Sequence, residues 1–243
     1  MPSRCAASRV HARRRAAAVG GSDAPGMTFD LFDTVAGEVR QWQEPLAPGA
    51  LVLRGFVADA EPILAAVHAV VAQAPLRHMV TPGGHRMSAT TTSCGALGWV
   101  SDDAGYRYDA IDPATGRVWP VMPGALVALA ADAAESAGYP GIVPDACLIN
   151  RYEAGARMSL HQDRNERDFR APIVSVSLGI PAIFQFGGMR RNERALRVPL
   201  AHGDVVVWGG PSRMRYHGVL PVKPGSHPLT GPQRINLTFR KAG

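Results

Sequence analysis

Cysteine is scarce in this chain, and the little there is forms no pattern. Cys5, Cys94 and Cys147 are the only three in 243 residues, an odd number without CxxC or zinc-type spacing, which argues against a disulfide framework and against a structural zinc knuckle. Missing too is any apolar run of the roughly 18 residues that a membrane-spanning helix needs; the Ala-rich 125–137 stretch is broken by Asp132 and Glu135. We therefore expect a soluble protein of a reducing, cytoplasmic compartment with no membrane part, and Cys147, set in an apolar run, as a small buried hydrophobe. Aromatics make up only 7% of residues. Residues 1–26 carry five arginines but no apolar core of the kind a secretory signal has, and are expected to be a disordered basic extension, with the folded part opening near Met27.

What is present suffices for one core: 46% of residues are hydrophobic, and all-β domains of this length occur as single units. Residues 27–243 are read as that single domain. The net charge of +6 is unevenly spread. Residues 27–150 hold six basic and thirteen acidic side chains, whereas 151–217 hold eleven basic against six acidic, and 218–243 four basic and no acidic. A basic field confined to one part of the chain suits a polyanionic partner, with an ordinary solvated arginine face as the plain alternative.

Ala50–Leu53 reads as a strand. A helix opens at Asp59 and Pro62 and carries Ile63, Leu64, Val67, Val70 and Val71 at helical spacing; a second runs from about Pro123 to a glycine stop at Gly138. Beyond Pro140, eight short apolar segments separated by turn residues (146–152, 158–161, 173–178, 182–186, 196–200, 204–208, 216–220 and 234–239) suggest a double-sheet jelly roll that the two helices cover. The fold class is thus mainly β (α+β). Residues 79–120 show no long apolar period yet gather Trp99, Tyr106, Tyr108 and Trp119. We expect a lid there, its aromatic rings either stacking on a ligand or pinning the segment to the sheet.

Two constellations carry chemistry. In an extended strand His161 and Asp163 project to the same side; His217, brought in on another strand, would complete two nitrogens and one oxygen, the ligand set of non-haem iron oxygenases. A hydrogen-bonded His–Asp pair at a strand end is the bland alternative. The final strand, Arg234 to Arg240, alternates strictly, with Ile235, Leu237 and Phe239 on one face and Arg234, Asn236, Thr238 and Arg240 on the other. Two inward arginines, roughly 20 Å apart on an ideal strand but able to converge, demand a neutralising anion. A dicarboxylate that also chelates iron and supplies two electrons, such as 2-oxoglutarate, satisfies both constellations.

With these residues in place the sequence resembles the AlkB-like family of Fe(II)/2-oxoglutarate-dependent nucleic-acid dealkylases. The resemblance runs from about Trp42 to Gly243 through WQEPL, MVTPGG, PDACLINRY, LHQD, RAPIVSVSLG, PAIFQFGG, HGDVVVWGG, YHG and NLTFR. It implies a double-stranded β-helix with a nucleotide-recognition lid over 79–120. It implies iron on His161, Asp163 and His217, and 2-oxoglutarate on Asn150, Tyr152, Arg234, Asn236 and Arg240. Substrate contacts would come from Trp99, Tyr106, Tyr108, Glu166 and Arg191, and from Asn165, which stands where the family has a carboxylate and leaves substrate range open. The implied activity is oxidative demethylation of bases such as 1-methyladenine and 3-methylcytosine in single-stranded DNA or RNA, with O2 consumed and succinate, CO2 and formaldehyde released. A monomer acting on single-stranded or flipped-out nucleotides is expected. The alternatives are an oxygenase of the same fold acting on RNA modifications or a protein, a non-catalytic lesion-binding module, and a zinc-holding jelly roll.

Overall fold

Short β-branched segments bounded by glycine and proline cannot bury themselves singly, so they pair into two sheets. The computed structural model describes residues 42–243, all within one compact unit; the extension expected over 1–26 and the start at Met27 lie outside the described residues. In chain order come β1 (Trp42–Ala47), β2 (Ala50–Arg54), α1 (Glu61–Gln73), β3 (Thr90–Gly95), β4 (Gly98–Asp102), β5 (Gly105–Asp109), β6 (Ile111–Asp112), β7 (Arg117–Val118) and α2 (Gly124–Ser136). The second half is all strand: β8 (Ala146–Tyr152), β9 (Met158–His161), β10 (Ile173–Gly179), β11 (Ala182–Phe186), β12 (Leu196–Leu200), β13 (Val205–Trp208), β14 (His217–Val219) and β15 (Arg234–Arg240).

A seven-stranded sheet in the order β1-β2-β13-β10-β15-β8-β3 faces a four-stranded sheet in the order β12-β11-β14-β9. This is the double-stranded β-helix expected from the eight later segments. Apart from its exposed edge strand β1, the large sheet is buried on both sides. Its outer face sends Val174, Val176, Cys147, Ile149, Ile235, Leu237 and Phe239 into a core with α1 and α2. The inner face sends Tyr152, Ile173, Val206 and Trp208 against Phe184, Phe186, Val198 and Leu200 of the small sheet. Cys94 and Cys147 sit opposite each other in the outer core, both free thiols.

The helices form for the reasons their sequences suggest. Asp59 Oδ1 accepts the Glu61 N–H at 3.1 Å, and Pro62 occupies the first turn of α1. α2 ends at Gly138 (φ +86°), whose N–H reaches the Glu135 carbonyl while Tyr139 N–H reaches Ala134, the paired bonds of a Schellman close.

The 79–120 segment departs from the expectation of a lid throughout. Thr90–Gly95 is a strand of the large sheet, paired residue by residue with β8 and almost wholly buried; three threonines and a serine carry too weak an apolar signal to reveal it. Outside the large and small sheets lie a turn closed by the Val80–Arg86 bridge and the hairpins β4–β5 and β6–β7. Trp119 belongs with packing: its ring lies so close to Gly98 that a Cβ there would come within 2.2 Å, its Nε1–H donates to the Asp109 carbonyl, and Arg77 covers it. No helix among the described residues is long and apolar enough to cross a membrane.

Candidate metal centre and its surroundings

β14 and β9 pair so that His217 lies directly opposite His161. The pairing needs Gly218, since a Cβ there would meet the Met158 carbonyl oxygen at 2.6 Å. The two rings stand 4.4 Å apart, centroid to centroid. His161 Nδ1 lies 2.9 Å from the Ser159 carbonyl and His217 Nδ1 3.1 Å from that of Arg215. A carbonyl only accepts, so each Nδ1 carries its proton and each Nε2 presents a lone pair inward. Burial, with the adjacent His161, pushes His217 down to about 3, which keeps it a neutral ligand at physiological pH.

Asp163 arrives differently from the strand alternation expected of it. β9 ends at His161, and Asp163 belongs to the irregular segment that follows, held by the Arg213 Nη1 bond to its carbonyl at 2.9 Å. Its carboxylate lies 3.6 Å from His161 Nε2 and 3.7 Å from His217 Nε2. The three ligand atoms fall within 4.8 Å of one another. Burial alone would raise the Asp163 carboxyl, but the charge and hydrogen bonds of Arg240 outweigh it, helped by the imidazoles wherever these are protonated, and hold it well below the usual carboxylate range. Arg240 gives that carboxylate two bonds, from Nε at 2.9 Å and from Nη2 at 2.5 Å.

β15 runs along the floor of the chamber as its alternation suggests. Arg234, Asn236, Thr238 and Arg240 are all buried on the site face. Arg234 is 1% exposed; its Nε donates to Ser177 Oγ at 3.0 Å and its guanidinium stacks 5.1 Å from the Tyr152 ring. Among the described residues it has no carboxylate partner, and Arg234 Nη1, Arg240 Nη1 and the neighbouring Asn150 Oδ1 have no hydrogen-bond partner. Buried groups of this kind are normally satisfied. Asn236 is engaged within the sheet, donating to Ser175 Oγ and the Val176 carbonyl and accepting from Thr238.

Around the rim, Trp99 and Tyr106 stack at 5.8 Å on one face of the β4–β5 hairpin, and Tyr108 lies opposite Trp99 on the same face. Asn165 Nδ2 donates to the Tyr106 carbonyl at 3.1 Å, so this amide ties the hairpin to the metal-binding segment in a way a carboxylate could not. Glu166, expected to contact the substrate, is buried and engaged by protein groups. Its buried carboxylate accepts from Tyr108 Oη at 2.9 Å and pairs with Arg213 and Arg240, each at 3.2 Å. That network needs a desolvated carboxylate among fixed cations and leaves Tyr108 holding the hairpin to the floor. Arg191 is exposed on the β11–β12 connection with Arg190 and Arg194, and none of these three has an acidic partner among the described residues. Sequence reading passed over Arg213, Ser177 and Trp208, whose ring lies 4.8 Å from His217; only their side-chain contacts single them out.

Two nitrogens and one oxygen on one side of a point, enclosed by a jelly roll, define an iron-dependent oxygenase. The donor set suits Fe(II), and the unpartnered guanidinium and amide atoms along β15 and β8 suit a dicarboxylate such as 2-oxoglutarate. A sequence profile described as the 2OG-Fe(II) oxygenase superfamily matches residues 49–240. The chain is 56% identical to the alpha-ketoglutarate-dependent dioxygenase AlkB of Escherichia coli (strain K12) over 216 residues, covering 88% of this chain and 98% of the relative. It is 45% identical over 196 residues to the AlkB homolog of Caulobacter vibrioides (strain NA1000 / CB15N), covering 80% and 86%. Among solved structures, OsALKBH1 superposes with a TM-score of 0.72 at 26% identity, covering 82% of this chain and 100% of the other. The chain belongs to the 2OG-Fe(II) oxygenase superfamily and, within it, to the AlkB dioxygenases.

Proposed function

We propose that this dioxygenase oxidatively removes alkyl groups from N-alkylated nucleic-acid bases, restoring the unmodified base in single-stranded DNA or RNA or in a nucleotide flipped from a duplex. The observation that carries the reading is the pairing of the His161–Asp163–His217 triad with Arg234, a buried cation that lacks a carboxylate partner among the described residues. The likeness to the AlkB dioxygenases supplies the substrate class.

In this reading His161, Asp163 and His217 hold Fe(II). Arg234, Tyr152 and Asn150 hold one carboxylate of 2-oxoglutarate, Arg240 the other, and Asn236 fixes the floor between them. Together the metal and the co-substrate supply the oxidation of a C–H bond by O2, coupled to conversion of 2-oxoglutarate to succinate and CO2. The protein's own work is placement. The two Nδ1–H bonds fix the imidazole planes, Arg240 keeps Asp163 ionised and aimed, and the Phe184–Trp208 wall excludes water from His217. A hydroxylated N-methyl group then leaves as formaldehyde without a protein acid or base.

A methyl on a base-pairing edge cannot reach the chamber inside a duplex, so the base must enter alone. Trp99 and Tyr106 offer it a stacking face, and Arg190, Arg191 and Arg194 offer cations to the backbone. A monomer suffices, since every group named comes from one chain. Base–aromatic stacking of roughly 1–3 kcal/mol per base corresponds to about a 5–150-fold loss, so Trp99→Ala should raise KM for methylated oligonucleotides by that factor while leaving 2-oxoglutarate turnover without substrate nearly unchanged. Equal loss of both activities would remove Trp99 from the base site.

A further inference from the structure

Strand β3 carries hydroxyls on both faces, and the two faces are treated differently. Towards the helices, Thr90 Oγ1 accepts from Arg151 Nε at 3.2 Å and Thr92 Oγ1 donates to the Ala74 carbonyl at 2.8 Å. On the opposite face Thr91 and Ser93 are each 0% exposed, and neither hydroxyl has a hydrogen-bond partner. Both sit deep in a close-packed sheet, where a donor without a partner is normally not retained.

Register shows which chamber they face. Thr91 is opposite Asn150 and Ser93 opposite Leu148; Asn150 in turn is opposite Asn236, and Leu148 opposite Thr238. Side chains directly opposite in a ladder share a face, so Thr91 and Ser93 extend the polar floor of Asn236 and Asn150 sideways to the edge strand. From Ser93 the chain passes through Gly95 into β4 and Trp99. Gly95 is opposite Ala146, and Ala146 opposite Arg240, whose partner Glu166 accepts the Tyr108 hydroxyl at 2.9 Å. The two hydroxyls therefore occupy the stretch of wall between the floor assigned to the co-substrate and the aromatic hairpin assigned to the base.

We infer that Thr91 and Ser93 are specificity-determining residues that hydrogen-bond the polar edge of the base taken into the chamber, directly or through one ordered water. A hydroxyl both donates and accepts, so this pair can accept from an exocyclic amine, and more strongly from the amine of a cationic methylated base, where the bond is charge-assisted. This rests on the reading of the protein as a base dealkylase and adds to it a second recognition surface, perpendicular to the stacking face.

The test compares the full chain with Thr91→Val, Ser93→Ala and the double variant, each loaded with Ni(II) and 2-oxoglutarate so that nothing turns over. Binding of a fluorescent single-stranded oligonucleotide bearing one 3-methylcytosine is measured beside its unmodified counterpart, together with 2-oxoglutarate affinity and the melting temperature of the metal-free protein. A buried group left unpaired costs about 1–3 kcal/mol, so the preference for the methylated oligonucleotide should fall by roughly 5–150-fold in the double variant. Affinity for 2-oxoglutarate should be unchanged, and melting of Thr91→Val unchanged or higher, because removing an unpaired donor relieves the folded state. A preference equal to the parent's means the hydroxyls hold only solvent, and a loss confined to 2-oxoglutarate assigns them to the co-substrate; either result overturns the inference. Should the parent itself show no preference, the dealkylase reading fails; if only the variants behave like a discriminating parent, the inference fails alone.

Discussion

His217→Ala is expected to abolish iron-dependent turnover while leaving a folded protein. The imidazole contributes one of three ligand atoms that lie within 4.8 Å of one another, and its removal leaves a histidine and a carboxylate that cannot define one side of a metal. Loss of an outer-shell partner of a ligand already costs about 10–100-fold in affinity or activity, so loss of the ligand itself should exceed that and bring succinate release to background. His217 packs on Phe184 and Trp208 and also borders His161 and Asp163, but the pairing of β14 with β11 and β9 is made by backbone, so the cooperative melt should survive. Retained turnover in a variant that melts cooperatively would remove His217 from the metal site.

Arg240→Met should have the largest effect on stability. This one guanidinium neutralises both Asp163 and Glu166. Stranding a buried partner costs about 3–5 kcal/mol, which for a domain of this size corresponds to a fall in Tm of roughly 6–20 °C. The pH dependence has a definite sign. The folded-state pKa of Asp163 lies below its unfolded value, so the stabilisation is fully present above the ordinary carboxylate range near pH ~3.9 and is lost as pH falls through the depressed value. The deficit of the variant should hold from neutral pH down to about pH 4 and narrow below it. A melt at pH 7 within about 2 °C of the parent's would mean that Asp163 and Glu166 find other partners.

Much of this architecture was legible because it depends on periods of two. The eight later strands follow alternation and turn residues closely, and the strict alternation of β15 marks its buried polar face, since arginine is rarely placed inward without an anion. Three features escaped for physical reasons. β3 is built of threonine and serine, whose burial depends on what the neighbouring strand offers. Asp163 lies past the end of β9, so strand alternation was the wrong reason for a correct neighbour; tertiary bonds from Arg213 and Arg240 aim it. Glu166 and Arg213 form a buried ion pair between distant segments, and no local pattern distinguishes such a pair from exposed charge. Asn165 is where the expectation and the structure differ in emphasis: the family resemblance implies a substrate contact, and the structure shows its amide tying the hairpin down.

The most direct test is to incubate the full chain with Fe(II), 2-oxoglutarate and O2 and a single-stranded oligonucleotide carrying one 3-methylcytosine or 1-methyladenine, and to follow the oligonucleotide by mass spectrometry beside succinate. The account predicts loss of the methyl group with one succinate formed per base restored, and neither when iron is withheld. Succinate produced while every methylated oligonucleotide stays intact would contradict the nucleic-acid assignment, and no succinate under any of these conditions would contradict the oxygenase itself.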